Sequence, residues 1–162
     1  MADRHALLKF PSEDATRRCG VALGSLLRPG DTVLLSGDIG AGKTFLARAL
    51  IQSLQHEAED VPSPTFTLVQ TYETPLGELW HSDLYRITST DEIEELGLID
   101  AFDTAICLVE WPDRLGDLAP AKALNIELTT DADDLQMRRA TLSWTDPRWD
   151  NLVCLLTEGA TS

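Results

Sequence analysis

The chain has 162 residues, of which 43% are hydrophobic and 25% are charged, as in an ordinary globular protein. Thirteen Lys and Arg residues against 27 Asp and Glu residues give a net charge of −14, and no basic cluster is longer than a pair. Proteins that bind nucleic acid unaided usually present a basic patch, so direct binding to DNA or RNA is disfavoured. The length predicts a single domain over residues 1–162.

The sequence shows no feature of export or membrane insertion. The N-terminal stretch lacks the apolar segment of a signal peptide, and no apolar run approaches the roughly 18 residues that span a bilayer. The cysteines, Cys19, Cys107 and Cys154, are far apart and lie in apolar stretches, which predicts reduced thiols in the core. We therefore expect a cytoplasmic protein without membrane association.

The first predicted element is a helix that begins after Phe10-Pro11. Ser12 is a suitable N-cap, and apolar residues recur at helical spacing from Ala15 to Leu27. The segment Arg28-Pro29-Gly30-Asp31 should end this helix. A continuous apolar run over residues 32–36 then predicts a strand that is buried on both faces.

A glycine-rich loop connects this strand to a second amphipathic helix. The loop reads Gly-Asp-Ile-Gly-Ala-Gly-Lys-Thr, and strand, loop and helix in this order are the context that a phosphate-binding loop requires. Its N–H groups and the helix N-terminus would face the β-phosphate of a purine nucleoside triphosphate. Lys43 would reach the β- and γ-phosphates, and the Thr44 hydroxyl would bind magnesium. The predicted nucleotide contacts are Gly37, Asp38, Ile39, Gly40, Ala41, Gly42, Lys43 and Thr44.

The middle of the chain predicts two strands and a short helix. The strands, residues 66–72 and 78–83, lie on either side of a Pro75-Leu76-Gly77 turn. An acidic helix over residues 91–96 should stop at Gly97.

The last third predicts a further buried strand and a hairpin. The apolar run 105–109 ends on Glu110-Trp111, and alternating residues between 124 and 144 form a hairpin around a turn at 131–134. A final helix covers residues 146–156. Interleaved strands and helices predict an α/β protein of the three-layer P-loop NTPase type, with a mostly parallel central sheet and an antiparallel C-terminal hairpin.

Carboxylates at strand ends are candidate metal ligands and catalytic groups. Glu110 ends a buried strand, where such folds hold magnesium or orient the attacking water; a solvated glutamate is the alternative. His81 and Asp83 project from one face of an extended segment. Asp83 could bind magnesium or polarise a water that His81 positions, and a half-exposed polar pair is the alternative.

Three further features bear on the kind of nucleotide chemistry. Ser63-Pro64-Thr65 lies where switch segments sense the γ-phosphate, although an ordinary turn fits equally, and Trp111 is either a core or a partner-facing aromatic. The chain has no Asn-Lys-x-Asp motif, which disfavours guanine and favours ATP. The arginine-rich lid of small-molecule kinases is also missing, which favours hydrolysis over transfer.

Taken together, these segments resemble the TsaE family, formerly YjeE, of bacterial P-loop ATPases in tRNA threonylcarbamoyladenosine synthesis. The similarity is collinear and covers most of the chain. It is carried by the phosphate loop, Ser63-Pro-Thr-Phe-Thr-Leu-Val69, His81-Ser-Asp-Leu-Tyr-Arg86, Glu95-Leu-Gly-Leu98 and Glu110-Trp111. The resemblance implies that Lys43, Asp83 and Glu110 are catalytic and that Thr44, Asp83 and Glu110 hold Mg²⁺.

The resemblance also implies a set of nucleotide contacts outside the phosphate loop. Ser63 and Thr65 would belong to the first switch, and Trp111 would lie near the nucleotide or the partner surface. Glu13 matches a family position near the nucleotide. Arg139 is expected to approach it too, although the family's Gly-Arg-Arg is Met137-Arg138-Arg139 here, which leaves open which arginine does so.

In this family the ATPase does not itself transfer the threonylcarbamoyl group. The resemblance implies that it binds TsaD and TsaB, and that its ATP cycle supports modification of the adenosine beside the tRNA anticodon. The net charge of −14 independently favours a protein partner, with tRNA contacted only indirectly. Two alternatives stay open: a small-molecule kinase of the P-loop class, and a nucleotide-gated binding module with little hydrolysis.

Overall fold

The computed structural model describes residues 4–37, 42–55, 69–130 and 137–160. Within these ranges, seven strands form one sheet. They are β1 Arg4–Phe10, β2 Thr32–Gly37, β3 Val69–Thr74, β4 Gly77–Asp83, β5 Ile106–Glu110, β6 Leu124–Thr130 and β7 Arg138–Trp144. The α-helices are α1 Glu13–Gly24, α2 Lys43–Leu54, α3 Thr90–Glu95, α4 Leu98–Thr104 and α5 Asp150–Ala160. Two 3-10 helices, Pro112–Leu118 and Pro147–Trp149, complete the regular structure.

The strand order in the sheet is β1-β7-β6-β2-β5-β4-β3. The central strand β2 pairs in parallel with β5 and β6, and β5 pairs in parallel with β4. β7 is antiparallel to both β6 and β1, and β3 is antiparallel to β4. The predicted α/β fold, with a mostly parallel sheet and an antiparallel C-terminal hairpin, is therefore confirmed.

Helices cover both faces of the sheet and make three layers. On one face, α1, α2 and α5 bury a core that includes Val33, Leu35, Ile106 and Leu108. On the other face, residues of α3, α4 and the first 3-10 helix pack against Leu34, Cys107 and Val109. Successive residues along β2, and likewise along β5, therefore pack alternately into the two cores. Because both faces of these strands are buried, both sequences are continuous apolar runs.

Several predicted helix boundaries agree with the structure. The Ser12 hydroxyl accepts a hydrogen bond from the Ala15 N–H at 3.2 Å, as expected for an N-cap. The first helix nevertheless ends at Gly24, so the prediction that it reaches Leu27 is wrong. Leu27 is buried all the same, which explains why its spacing suggested a helix.

Three elements were not predicted: β1, α4 and the 3-10 helix Pro112–Leu118. β1 is an edge strand that pairs with β7. Its Leu7 is exposed although it is apolar, so the sequence of β1 does not alternate cleanly between polar and apolar residues. Helix α4 begins directly after Gly97, where one helix was predicted to stop. The first residues of the predicted strand 66–72 and the predicted turn at 131–134 lie outside the described residues.

The cysteines follow the prediction in part. Cys107 is buried and Cys19 is half-buried, and burial raises the pKa of both thiols to about 12. Cys154 is exposed, so the prediction that it lies in the core is wrong. No helix in the described part of the chain combines the length and apolar character that crossing a membrane requires.

Candidate active site

The candidate site lies where the central parallel strands end. β2 ends at Gly37, β4 at Asp83 and β5 at Glu110. Glu110 is the register partner of Leu35 on one side and of Asp83 on the other, so these strand ends are level with one another. In open α/β sheets the carboxyl edge of the strands is the place where ligands bind.

The two described ends of the phosphate loop have backbone conformations suited to glycine. Gly37 has a φ of +134°, and a Cβ there would lie 2.2 Å from the carbonyl oxygen of Leu128 on β6. Gly42 has a φ of +103° and precedes α2 as its N-cap. The predicted contacts Asp38, Ile39, Gly40 and Ala41 lie outside the described residues.

Lys43, the first residue of α2, turns its ammonium group back toward the loop. Its side chain is buried, and Nζ donates a hydrogen bond to the carbonyl oxygen of Gly37. Nζ also lies 4.3 Å from the centre of the Trp111 ring, within the range of a cation–π interaction. The structure thus places the predicted phosphate-binding lysine and Trp111 in direct contact.

Two hydrogen bonds in series, one half-buried and one buried, connect α2, β5 and β4. The Thr44 hydroxyl donates to Oε1 of Glu110 at 2.8 Å. The other carboxylate oxygen of Glu110, Oε2, lies 2.7 Å from Nε2 of His81. Glu110 is 2% exposed and His81 is 0% exposed, so the hydrogen bond between them is screened little by solvent.

Asp83 occupies the matching position on the neighbouring strand. It is 4% exposed, and its Oδ1 accepts a hydrogen bond from the Tyr85 N–H at 2.9 Å. Alternation along β4 puts Asp83 on the same face as His81, as the two-residue spacing predicted. The alternative of a half-exposed polar pair is wrong, because both side chains are buried.

Trp111 follows Glu110 in an unusual backbone conformation. Its φ of 59° and ψ of 53° lie in the left-handed region, which costs a non-glycine residue about 1–2 kcal/mol. The turn is held by a hydrogen bond of 3.2 Å from the Trp111 N–H to the carbonyl oxygen of Leu35. The ring contacts Lys43 and also Tyr85, whose ring centre is 4.9 Å away.

Tyr85 is the site residue that sequence reasoning missed. It contributes a backbone N–H to Asp83 and a ring to Trp111, and 44% of its surface remains exposed. Tyr85 lies within the segment His81–Arg86, which carries part of the family resemblance, and this position could have identified it as a site residue.

Two other predicted nucleotide contacts lie farther along the same edge. Glu13 is the exposed first residue of α1, which follows the carboxyl end of β1. Arg139 is exposed on β7 and is level with Thr129 of β6, one residue beyond the Leu128–Gly37 pair. β6 and β2 lie between β7 and β5, so Arg139 and Glu110 are three strands apart in the sheet. Ser63 and Thr65 lie outside the described residues.

The donor atoms at this edge fit magnesium. The Thr44 hydroxyl and the carboxylates of Asp83 and Glu110 are oxygen ligands, which this hard cation prefers. Among the described residues, no three His, Cys, Asp or Glu side chains form a metal-binding cluster. Mg²⁺ usually takes one or two protein carboxylates and fills the rest of its shell with phosphate oxygens and water.

Comparison with known proteins gives consistent matches. The model of the family described as "Threonylcarbamoyl adenosine biosynthesis protein TsaE" matches residues 10–140. The chain is 40% identical over 126 residues to a Rickettsia bellii protein named tRNA threonylcarbamoyladenosine biosynthesis protein TsaE, covering 78% of this chain and 88% of that protein. It is 39% identical over 136 residues to the Haemophilus influenzae protein of that name, with coverages of 79% and 85%.

A solved structure agrees with the fold as well. The crystal structure of Bacillus subtilis YdiB superposes with a TM-score of 0.77 at 25% identity. The superposition covers 98% of this chain and 97% of that one.

Proposed function

The chain belongs to the TsaE family, and on that premise we propose that it is a cytoplasmic, magnesium-dependent ATPase that supports threonylcarbamoyladenosine formation on tRNA. The observation that carries the proposal is the hydrogen bond from the half-buried Thr44 to the buried Glu110, which joins the start of the loop helix to a strand-end carboxylate. A hydroxyl directly after the loop lysine and a carboxylate at the end of a neighbouring strand are the usual magnesium-binding pair of P-loop proteins.

Each residue has a distinct part in this proposal. Lys43 binds the β- and γ-phosphates of ATP through its ammonium group, and Thr44 and Glu110 hold the ion. Asp83 assists directly or through a water that it polarises. When bound, magnesium neutralises charge that develops on the phosphate oxygens during hydrolysis.

The contacts of Lys43 support a site that is partly prepared before the nucleotide binds. Its ammonium group is held by the Gly37 carbonyl and the Trp111 ring. These two contacts are with neutral groups, and a hydrogen bond to an anionic phosphate oxygen is about twice as strong as a neutral one, which favours binding of the phosphate at Lys43.

We further propose that the ATPase acts with TsaD and TsaB and reaches tRNA only through them. The relatives from Rickettsia bellii and Haemophilus influenzae are named for tRNA threonylcarbamoyladenosine biosynthesis. The net charge of −14 makes solo binding to RNA unfavourable and leaves a protein complex as the route to the substrate.

The test combines nucleotide binding with partner-dependent hydrolysis. Lys43→Ala removes a charged hydrogen-bond donor, so the Kd for ATP should rise at least about tenfold, the equivalent of roughly 1.4 kcal/mol. The wild-type protein should hydrolyse ATP faster with TsaD and TsaB than alone. Unchanged ATP affinity in the Lys43→Ala variant would falsify the assignment of the loop.

The same assays separate the two alternatives. A small-molecule kinase would convert ATP into a phosphorylated acceptor, which mass spectrometry of the products detects. A nucleotide-gated binding module would sustain full tRNA modification with a non-hydrolysable ATP analogue. The ATPase predicts free phosphate as the product and a loss of modification with the analogue.

A further inference from the structure

A histidine lies in the core-facing row of β4 where an apolar side chain would be expected. Leu79, His81 and Asp83 alternate onto the same face of the sheet, and Leu79 belongs to the main core. His81 is 0% exposed and its register partner on β5 is the buried Leu108. A leucine at position 81 would extend this core without burying polar atoms, so the fold alone gives no reason for a histidine.

The contact with Glu110 gives a reason. Nε2 of His81 and Oε2 of Glu110 are 2.7 Å apart, and an ionised carboxylate only accepts hydrogen bonds, so Nε2 is the donor. Oε1 of Glu110 accepts from Thr44 at 2.8 Å. Each oxygen of the carboxylate therefore has its own fixed donor.

The second ring nitrogen shows that His81 is not held in place by a network of its own. Among the described residues, Nδ1 of His81 has no hydrogen-bond partner although it is buried. Most buried polar atoms in proteins have a partner, because losing hydration without one costs free energy. In the described contacts, the polar function of the ring is directed at Glu110 alone.

The hydrogen bond from His81 restricts the orientation of the Glu110 carboxylate. A glutamate side chain turns about three bonds, whereas the His81 ring is fully buried. Because His81 is fully buried on an interior strand between β5 and β3, a hydrogen bond from Nε2 fixes Oε2 and thereby keeps Oε1 at the Thr44 hydroxyl. Outer partners of this kind orient metal ligands, and their loss typically costs about 10- to 100-fold in metal affinity.

We propose that His81 is the positioning residue of the magnesium site: it orients the Glu110 carboxylate and touches neither the ion nor the nucleotide. This inference rests on the proposed function. It differs from the water-positioning role that the sequence suggested for His81, because Nε2 is occupied by Glu110.

The test compares substitutions that keep or remove the donor at the position of Nε2. In His81→Gln the amide nitrogen reaches about as far as Nε2, while in His81→Asn it reaches only about as far as Nδ1. His81→Leu removes the donor entirely. The readout is the Kd for ADP, measured by calorimetry with Mg²⁺ and again with a chelator, so that it is independent of turnover.

We expect the Asn and Leu variants to lose about 10- to 100-fold of the Mg²⁺-dependent gain in ADP affinity. Affinity in the chelator should stay as in the wild type, and the Gln variant should retain most of the gain. Ser82→Ala is the matched control, since Ser82 is the buried neighbour on the opposite face of β4 and should leave both affinities unchanged. If the Leu variant does not fold, the Gln and Asn pair decides the question.

The possible results distinguish the two proposals. A wild-type protein whose ADP affinity does not respond to Mg²⁺ overturns the proposed function. A wild-type response that the Asn variant retains in full overturns the role of His81 and leaves the function standing. An Asn variant that loses affinity equally with and without Mg²⁺ also overturns it, because His81 would then support the whole site.

Discussion

The sheet face that packs against α2 has two ends with equal burial and opposite chemistry. Toward the start of β4 and β5, this face carries Leu79, Ile106 and Leu108, each 0% exposed. Toward the carboxyl ends of the same strands it carries His81, Asp83 and Glu110, none more than 4% exposed. Two or four residues along a strand thus separate an apolar core from an equally buried polar cluster.

Burial has opposite effects on the stability of the fold at the two ends of this face. Burying apolar surface stabilises the fold by about 25 cal/mol per Å². Burying carboxylates is unfavourable unless hydrogen bonds or charges compensate, and such groups are seldom the most stabilising choice. The apolar end therefore accounts for stability, and the polar end is maintained at some cost to stability because of its chemistry.

The largest expected effect comes from the apolar end. Ile106→Ala leaves a cavity beside Leu79, its register partner, and should lower the free energy of unfolding by about 2–5 kcal/mol. Denaturant unfolding measures the loss. ATP affinity measured well below the unfolding transition should stay near that of the wild type, because the strand end at Glu110 is not altered. A folded variant with strongly reduced affinity would show that the two ends are not separable.

The opposite pattern is expected at the polar end. Glu110→Gln keeps the size of the side chain and a hydrogen-bond acceptor but removes the charge that holds the ion. Magnesium-dependent hydrolysis should fall about 100- to 1,000-fold, the scale for losing one charge-stabilising group. The midpoint of thermal unfolding should barely change. Preserved turnover would remove Glu110 from the site, and a large drop in the unfolding midpoint would make it a structural residue.

A smaller energetic effect is expected at the contact between Trp111 and Lys43. Lys43 lies over its ring, a contact worth about 0.5–2 kcal/mol, and should leave it when phosphate binds. ATP should therefore change the tryptophan fluorescence, and Trp111→Phe should abolish the change. Trp80→Phe is the control, because Trp80 lies on the face of β4 opposite to His81 and its indole N–H donates a hydrogen bond to Glu78. A change that survives in Trp111→Phe would place Lys43 elsewhere in the bound state.

Local patterns in the sequence were sufficient for most of the fold. The apolar runs of β2 and β5 and the N-cap at Ser12 depend on residues next to one another, and all were found where predicted. β1 was missed because its place is set by pairing with β7 at the far end of the chain. Helix α4 was missed because Gly97 ends one helix and precedes the next.

The sequence predicted several of the residues that the structure brings together at the candidate site, but it missed Tyr85 and did not predict the contacts. Lys43, Thr44, Asp83 and Glu110 were predicted from residue type and position, and the structure brings them to one edge. The His81–Glu110 hydrogen bond depends on the parallel register of β4 and β5, which no local pattern encodes. The contact of Trp111 with Lys43 depends on the left-handed turn before Pro112, a conformation rarely adopted by tryptophan.

The order of strands in the sheet has a consequence for how this site arises during synthesis. β5 lies between β2 and β4, although both of those strands precede it in the chain. A nascent polypeptide that ends before Ile106 already carries Lys43 and Thr44, but it has neither Glu110 nor the strand that joins β2 to β4. The Thr44–Glu110 pair can therefore form only when β5 is inserted between β2 and β4, and the metal-dependent nucleotide binding that we propose would show that the centre of the sheet is complete.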